Sequence, residues 1–217
     1  MAISARYKEL RDETTRLRKD LLPRRFNRSG RYRQEDVTKT LAYRVLVHAE
    51  IEAYLEDRAW AIALTAAKVW KEKQKASKII LALLAFSGRT MERPPNSISP
   101  DQPSQSDKWD EKTKLSKKID LAMGDFHRVL EQNHGIKEEN IISMLLPIGI
   151  DCDDIDVVLM ADLNSYGESR GIVAHRASKA YRTTQQIDPK GELTKVKTLV
   201  RDLVSLDGLL DELLVDL

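Results

Sequence analysis

The stretch LAYRVLVHAEIEAYLED, residues 41–57, decides the fold. It lies in a long segment, Arg31 to Phe86, that contains neither glycine nor proline. Apolar or bulky side chains recur there every three or four positions from Val37 to Ile62, and this spacing places them on one side of an α-helix. We therefore predict a long helix that begins at about Glu35 and continues past residue 68.

Further helical patterns flank this segment on both sides. The first runs over residues 3–21 and ends before Pro23. The later ones are predicted over residues 79–86, 109–133, 138–146, 155–166, 172–181 and 193–217. No stretch alternates apolar and polar residues as a half-buried strand does. The sequence predicts an all-α fold, a bundle of about four long antiparallel helices with shorter additions.

The chain divides into one domain and a closing helix. We predict a helical domain over residues 1–190, interrupted by a Pro- and Ser-rich segment, residues 88–108, whose composition favours a disordered, solvent-exposed loop. Residues 191–217 carry a leucine stripe. They are predicted to form an amphipathic helix that packs on the domain or on a partner.

Composition and charge favour a single domain that stays inside the cell. The chain has 217 residues, 32% of them charged, and a formal net charge of +2. Its single cysteine, Cys152, cannot form an internal disulfide, and the first residues lack the apolar core of a secretion signal. The longest strongly apolar stretch is far shorter than the roughly 20 residues of a membrane span. We expect a cytoplasmic protein with no membrane partner.

The near-neutral total conceals a strong asymmetry. Between Arg16 and Arg33 there are eight Lys or Arg residues and one acidic residue, whereas residues 201–217 hold one Arg and five acids. Five arginines follow Pro23: Arg24, Arg25, Arg28, Arg31 and Arg33. We predict that they bind RNA by neutralising its phosphates, with Phe26 and Tyr32 placed to stack on bases. The alternative is that these arginines pair with the acidic C-terminal helix.

Several kinds of site are excluded or disfavoured. The sequence has no phosphate-binding P-loop, no dinucleotide-binding glycine motif and none of the common zinc motifs. The acids between Asp151 and Asp156 lack the spacing of a calcium loop and are best explained as the start of a helix. His48 and Glu52, four residues apart, share one side of the long helix, and most such pairs serve surface or packing roles. We predict neither a metal site nor a cofactor.

Arg170 and His175, in the segment RGIVAH, carry the candidate chemistry. A guanidinium can stabilise a dianionic phosphorane, and an imidazole can move the proton of a ribose 2′-OH near neutral pH. On a straight helix five steps place the two residues about 140° apart. To act together, the helix must break, which Gly171 permits, or the two side chains must converge across a two-fold interface.

This R-x4-H element resembles the R-x4-6-H motif of the HEPN superfamily (higher eukaryotes and prokaryotes nucleotide-binding). Residues 41–57, with Glu52 in an E-x-[YF] context, are similar to the second helix of the RiboL-PSP type of HEPN domain. Residues 145–175 are similar to the approach to its motif. The resemblance covers most of residues 7–181 and does not include the closing helix.

The resemblance implies a homodimeric, metal-independent endoribonuclease that cleaves RNA by 2′-OH attack. Arg170 and His175 are then catalytic and Glu52 supports them, in a toxin or antiviral-defence effector whose partners include an antitoxin or another defence protein. One position departs from the family pattern, because active members usually carry a polar residue where this chain has Gly171. A catalytically inactive module that binds RNA, nucleotide or a partner protein therefore stays open, as does a purely structural adaptor.

Overall fold

A computed structural model describes residues 3–89, 95–99, 108–175, 187–215 and 217, with only the helical backbone described over 171–175. These ranges contain eight α-helices and no strand, which confirms the all-α prediction. The helices are α1 (Ala5–Leu21), α2 (Gln34–Lys73), α3 (Lys78–Phe86), α4 (Trp109–Thr113), α5 (Leu115–Glu131), α6 (Glu138–Leu145), α7 (Val157–His175) and α8 (Pro189–Val215). Short 3-10 turns at 146–148 and 152–154 connect α6 to α7.

The central element is α2, whose 40 residues make a helix about 60 Å long. It ends at Gln74, which adopts the left-handed conformation (φ 53°) and returns its N–H to the carbonyl of Trp70. The side of α2 with the predicted apolar spacing is buried, from Leu41 to Trp70. The apolar spacing thus predicts the buried side of this helix correctly.

Three contacts fix the directions of α8 and α1 relative to α2. Glu192 and Asp211 of α8 bind Arg44 and Arg58 of α2 in the same order, so α8 runs parallel to α2. Ser4, at the start of α1, binds Asp207 near the end of α8. Because α8 is parallel to α2, α1 is antiparallel to both. The connection of α1 to α2, residues 22–33, favours an antiparallel neighbour.

Helix α7 also runs antiparallel to α2. Asp151, shortly before α7, pairs with Lys78, shortly after the end of α2, at 2.8 Å. Farther along α7, Tyr166 donates its hydroxyl hydrogen to the carbonyl of Arg44, in the first third of α2, at 3.3 Å. The last residues of α7 therefore lie toward the end of the bundle where α2 begins.

One large hydrophobic core joins the helices, and a small second cluster of Leu41, Ile187 and Val37 lies apart from it. It draws buried side chains from α1, α2, α3, α5, α6, α7 and α8. The apolar side of α8, from Val196 to Leu210, is part of this core. The closing helix therefore packs on the domain itself.

The start of α1 is held by a buried carboxylate of α8. Asp207 is 1% exposed and accepts hydrogen bonds from the Ser4 amide (2.8 Å), the Ser4 hydroxyl (2.7 Å) and the Tyr54 hydroxyl (2.9 Å). The Arg58 guanidinium lies 3.2 Å away and balances the charge. This cluster joins the first and last helices to α2.

The helix predicted over 109–133 is two helices, α4 and α5. The chain is extended at Lys114 (φ −106°, ψ 121°), whose N–H still bonds to the carbonyl of Asp110. Helix α4 buries none of its residues, whereas α5 packs five against the core. Packing therefore fixes the direction of α5 and leaves α4 free to turn away.

Two further sequence predictions have different outcomes. The acids before α7 do start a helix, because the Asp156 carboxylate accepts hydrogen bonds from the amides of Val158 (2.7 Å) and Leu159 (3.0 Å). Most of the Pro- and Ser-rich segment, residues 90–94 and 100–107, lies outside the described residues. Within the described ranges, no helix has both the length and the apolarity needed to cross a membrane.

Candidate functional site

Arg170 lies one turn beyond the point where α7 is anchored to α2. Tyr166, four residues earlier, is buried and bonded to the Arg44 carbonyl. Arg170 is partly exposed and makes no hydrogen bond or ion pair with any residue that the structure describes. Its guanidinium is therefore available to an anion from outside the chain.

The helix does not break at Gly171. Helix α7 continues without interruption from Val157 to His175, so the prediction of a new helix beginning at Ile172 is wrong. The core fixes α7 upstream of the glycine, and its backbone keeps the helical hydrogen-bonding pattern through it. Arg170 and His175 are then about 140° apart around one helix and about 7.5 Å apart along it. The side chain of His175 lies outside the described residues.

A buried ion pair lies beneath this part of α7. Arg44 of α2 binds the Glu192 carboxylate of α8 through two hydrogen bonds, 2.9 Å from Nε and 2.6 Å from Nη2. Burial, assisted by the Glu192 charge, raises the pKa of Tyr166 well above its usual value. This arrangement holds α2, α7 and α8 together one turn before Arg170.

Sequence reasoning missed the Arg44–Glu192 pair. The available signal was the position of Arg44, three residues after Leu41 and four before His48, on the side of α2 that the apolar residues mark as buried. A buried arginine requires an acidic partner. No local pattern, however, identifies that partner as a residue 148 positions away.

A polar pocket of about 200 Å³ opens between α7 and α8 beside this pair. Its lining includes Ser169, the neighbour of Arg170, and the hydroxyls of Ser165, Thr194 and Thr198. Lys195 and Asp162 provide one charge of each sign. The surroundings of Arg170 are thus rich in hydrogen-bonding groups.

The five arginines predicted to bind RNA are all exposed. They lie in the connection from α1 to α2, residues 22–33, called here the basic connection. Arg33 pairs with Asp36 at 3.5 Å, while the other four have no ion-pair partner among the described residues. This leaves their charge available to a ligand.

Three of the acids near the end of the chain are engaged elsewhere. Asp207 and Asp211 bind Arg58, and Asp202 binds Arg201 at 2.7 Å. The alternative in which the basic connection pairs with the acidic C-terminal helix is therefore not realised among the described acids.

The basic connection has a defined local structure. The Asn27 side chain accepts a hydrogen bond from the Ser29 amide (3.0 Å) and donates one to the Arg31 carbonyl (2.7 Å). Gly30 adopts φ +69°, a conformation that favours glycine. The connection leads directly into the first residue of α2, at the end of the bundle toward which α7 runs at Arg170. Arg170 and the basic connection therefore share one end of the molecule.

Glu52 lies elsewhere. It is eight residues beyond Arg44 on α2, about 12 Å along the helix in the direction away from Arg170. Its carboxylate is 3.5 Å from Nδ1 of His48, a buried side chain. Within one chain, the structure therefore brings Glu52 to His48 and not to Arg170.

An all-α bundle with an R-x4-H element on one of its helices is the arrangement of a HEPN domain, as the sequence resemblance implied. The RiboL-PSP-HEPN family model matches residues 4–206, and the chain belongs to this family. The match extends into α8, so it includes most of the helix that the sequence resemblance left out. No curated protein and no solved structure matches the chain.

Proposed function

We propose that this protein is a metal-independent endoribonuclease. A ribose 2′-oxygen attacks the adjacent phosphorus, the bond from phosphorus to the 5′-oxygen breaks, and the products carry a 2′,3′-cyclic phosphate and a 5′-hydroxyl. Arg170 stabilises the negative charge that accumulates on the phosphorane. His175 moves a proton, taking it from the 2′-OH or giving it to the leaving 5′-oxygen.

The observation that carries this proposal is Arg170, which lies on a HEPN motif and has no partner among the described residues. A guanidinium without such a partner is available to a phosphate, and the four arginines of the basic connection that have no ion pair within the described ranges lie at the same end of the bundle. Together they supply positive charge for flanking phosphates as well as for the reacting one. The Glu52 carboxylate lies near His48 and not near Arg170. We therefore propose that Glu52 supports the site indirectly, through α2.

The proposal includes a homodimer. An unbroken α7 separates Arg170 and His175 by about 140°, so two copies related by a two-fold axis are the remaining way to place both residue types in one cleft. We place the enzyme in the cytoplasm as a toxin or antiviral-defence effector. An antitoxin or another defence protein would then control it.

A second candidate function follows from Gly171. Active HEPN members usually carry a polar residue at this position, which can contact the scissile phosphate. With glycine there, the same surface fits a catalytically inactive module that binds RNA, nucleotide or a partner protein.

Cleavage of mixed RNA in EDTA tests the proposal and separates the two candidates. We expect the wild-type protein to cleave, and Arg170→Ala and His175→Ala to lose cleavage while their circular dichroism matches the wild type. Arg128→Ala, an exposed arginine on α5, is the matched control and should cleave normally. Cleavage that survives both motif variants would refute the assignment of the site. Wild-type RNA binding without cleavage would favour the inactive module.

A further inference from the structure

A second groove lies on the other side of α8, between this helix and α1. Its volume is about 470 Å³, within the range of ligand sites. Four cationic side chains line it: Arg11, Arg18, Lys197 and Arg201. No acid among the described residues belongs to its lining. The groove is therefore strongly positive in a chain whose total charge is near neutral.

The four cations are open to a competing anion. Arg18 and Lys197 have no ion pair among the described residues. Arg11 and Arg201 each contact the acid that follows them in sequence, at 3.6 Å and 2.7 Å, on the exposed surface. The Arg11–Asp12 pair is exposed and contributes about 0–1 kcal/mol, so a phosphate can displace Asp12 at little cost. Arg201 binds Asp202 through two hydrogen bonds, of 2.7 and 3.0 Å, and is the less available of the two arginines.

The floor of the groove is apolar and aromatic. Tyr7 and Tyr43 are buried there, and the Tyr7 hydroxyl donates to the carbonyl of Val200, so the two rings form a closed floor beneath the cations. A rim of four cations above a closed apolar floor fits an extended ligand that carries a row of phosphates. A positively charged groove that follows the phosphate backbone is one element of sites that bind single-stranded nucleic acid.

The groove is continuous with the basic connection. The Arg18 guanidinium lies over the ring of Phe26, 5.8 Å from its centre, so one side chain belongs to both surfaces. Across α8, Thr194 and Lys195 line the polar pocket beside Arg170, while Leu193 and Lys197 line the groove. The polar pocket and the groove therefore lie on two sides of the same half of α8. The basic connection lies at the end of the bundle that both share.

We propose that this groove binds a segment of single-stranded RNA that extends from the basic connection, outside the site of cleavage. The identity of the ligand as RNA rests on the proposed function, whereas the preference for a phosphate-bearing strand rests on the groove itself. The groove would add phosphate contacts and leave the chemistry at Arg170 unchanged. It would thus set the length of RNA that the protein prefers.

The test measures binding of a fluorescent RNA with 2′-O-methyl riboses, which cannot be cleaved by 2′-OH attack. The dissociation constant is determined over a series of salt concentrations for the wild type and for Arg18→Gln/Lys197→Gln. Each lost phosphate contact lowers the salt slope by about 0.7 for a single strand, so we expect a slope about 1.4 less steep. Affinity should fall on the order of tenfold at 0.1 M salt. Lys197→Gln alone, on an exposed lysine, keeps the test valid if the double variant unfolds.

The control is Lys68→Gln/Lys73→Gln, which removes the same charge at the far end of α2 and should bind as the wild type does. An unchanged slope in the groove variant overturns the inference, as does wild-type protein that binds anionic vesicles and not RNA. Cleavage of unmodified RNA is measured in parallel. If cleavage is present and the slope is unchanged, only the groove is refuted. If cleavage is absent but the slope falls as expected, only the nuclease is refuted.

Discussion

Arg44 of α2 and Glu192 of α8 form an ion pair whose side chains are 8% and 3% exposed. Two hydrogen bonds join them, and the carbonyl of the same arginine accepts the hydroxyl hydrogen of Tyr166 on α7. The helix that carries the R-x4-H element is thus tied to the centre of the bundle through a charged pair that has little access to water.

Removal of one partner of this pair should be strongly destabilising. Glu192→Ala leaves the Arg44 charge buried without its carboxylate, and we expect a loss of about 3–5 kcal/mol in the free energy of unfolding. Denaturant unfolding followed by circular dichroism measures it. Arg44→Met/Glu192→Leu, which removes both charges, should recover most of the loss. A loss below about 1 kcal/mol for Glu192→Ala would show that the pair is not buried as described.

Glu56 should make stability depend on pH. Burial raises the pKa of its carboxyl above the ordinary value of 4.5, and the hydrogen bond from Asn133 only partly opposes this. An acid with a raised pKa holds its proton more tightly in the folded state, so its contribution is lost as pH rises from about 4.5 through the folded pKa. Glu56→Gln can accept the same hydrogen bond without ionising. Its stability relative to the wild type should therefore increase between pH 4 and pH 7, and a constant or decreasing difference would contradict the assignment.

Neutralisation of the basic connection should weaken RNA binding without affecting the fold. Arg24, Arg25, Arg28 and Arg31 are exposed and unpaired among the described residues, so their replacement by Gln should change unfolding by no more than about 0.5 kcal/mol. The salt slope for single-stranded RNA should become less steep by up to about 2.8. A slope equal to that of the wild type would mean that RNA binds elsewhere.

Mixed dimers test whether Arg170 and His175 act across a two-fold interface. A dimer of one Arg170→Ala chain and one His175→Ala chain retains one intact pair only if each site takes its arginine and histidine from different chains. We expect about half of the wild-type cleavage rate from purified mixed dimers that carry different tags. Dimers of a single variant should be inactive. Mixed dimers without activity would place both residues of a site in one chain.

Periodicity predicted most of the fold because each long helix buries one continuous side. The 3.6-residue spacing located α2, and the acids that end at Asp156 indicated the start of α7. Two helix boundaries are predicted incorrectly from local sequence. Gly171 favours a break, although α7 continues through it. The helices α4 and α5 separate at Lys114, where the chain has no glycine or proline. At Lys114 the packing of α5 against the core outweighs local preference.

The site was only partly accessible to sequence reasoning. The R-x4-H element identified Arg170, because its residues are close in the chain. The Arg44–Glu192 pair and the groove between α1 and α8 join segments that are far apart in sequence, and no local pattern contains that information. Local context favours Glu52 as a supporting residue. Because α7 runs antiparallel to α2, however, Arg170 lies toward the other end of α2 from Glu52.

The most direct test of the central claim is the chemistry of the RNA ends after incubation with the wild-type protein in EDTA. We expect 2′,3′-cyclic phosphate and 5′-hydroxyl ends. We also expect no cleavage at a site whose upstream ribose is 2′-deoxy, and no product from Arg170→Ala. Cleavage that requires an added divalent metal, leaves 5′-phosphate ends and tolerates the 2′-deoxy ribose would contradict it.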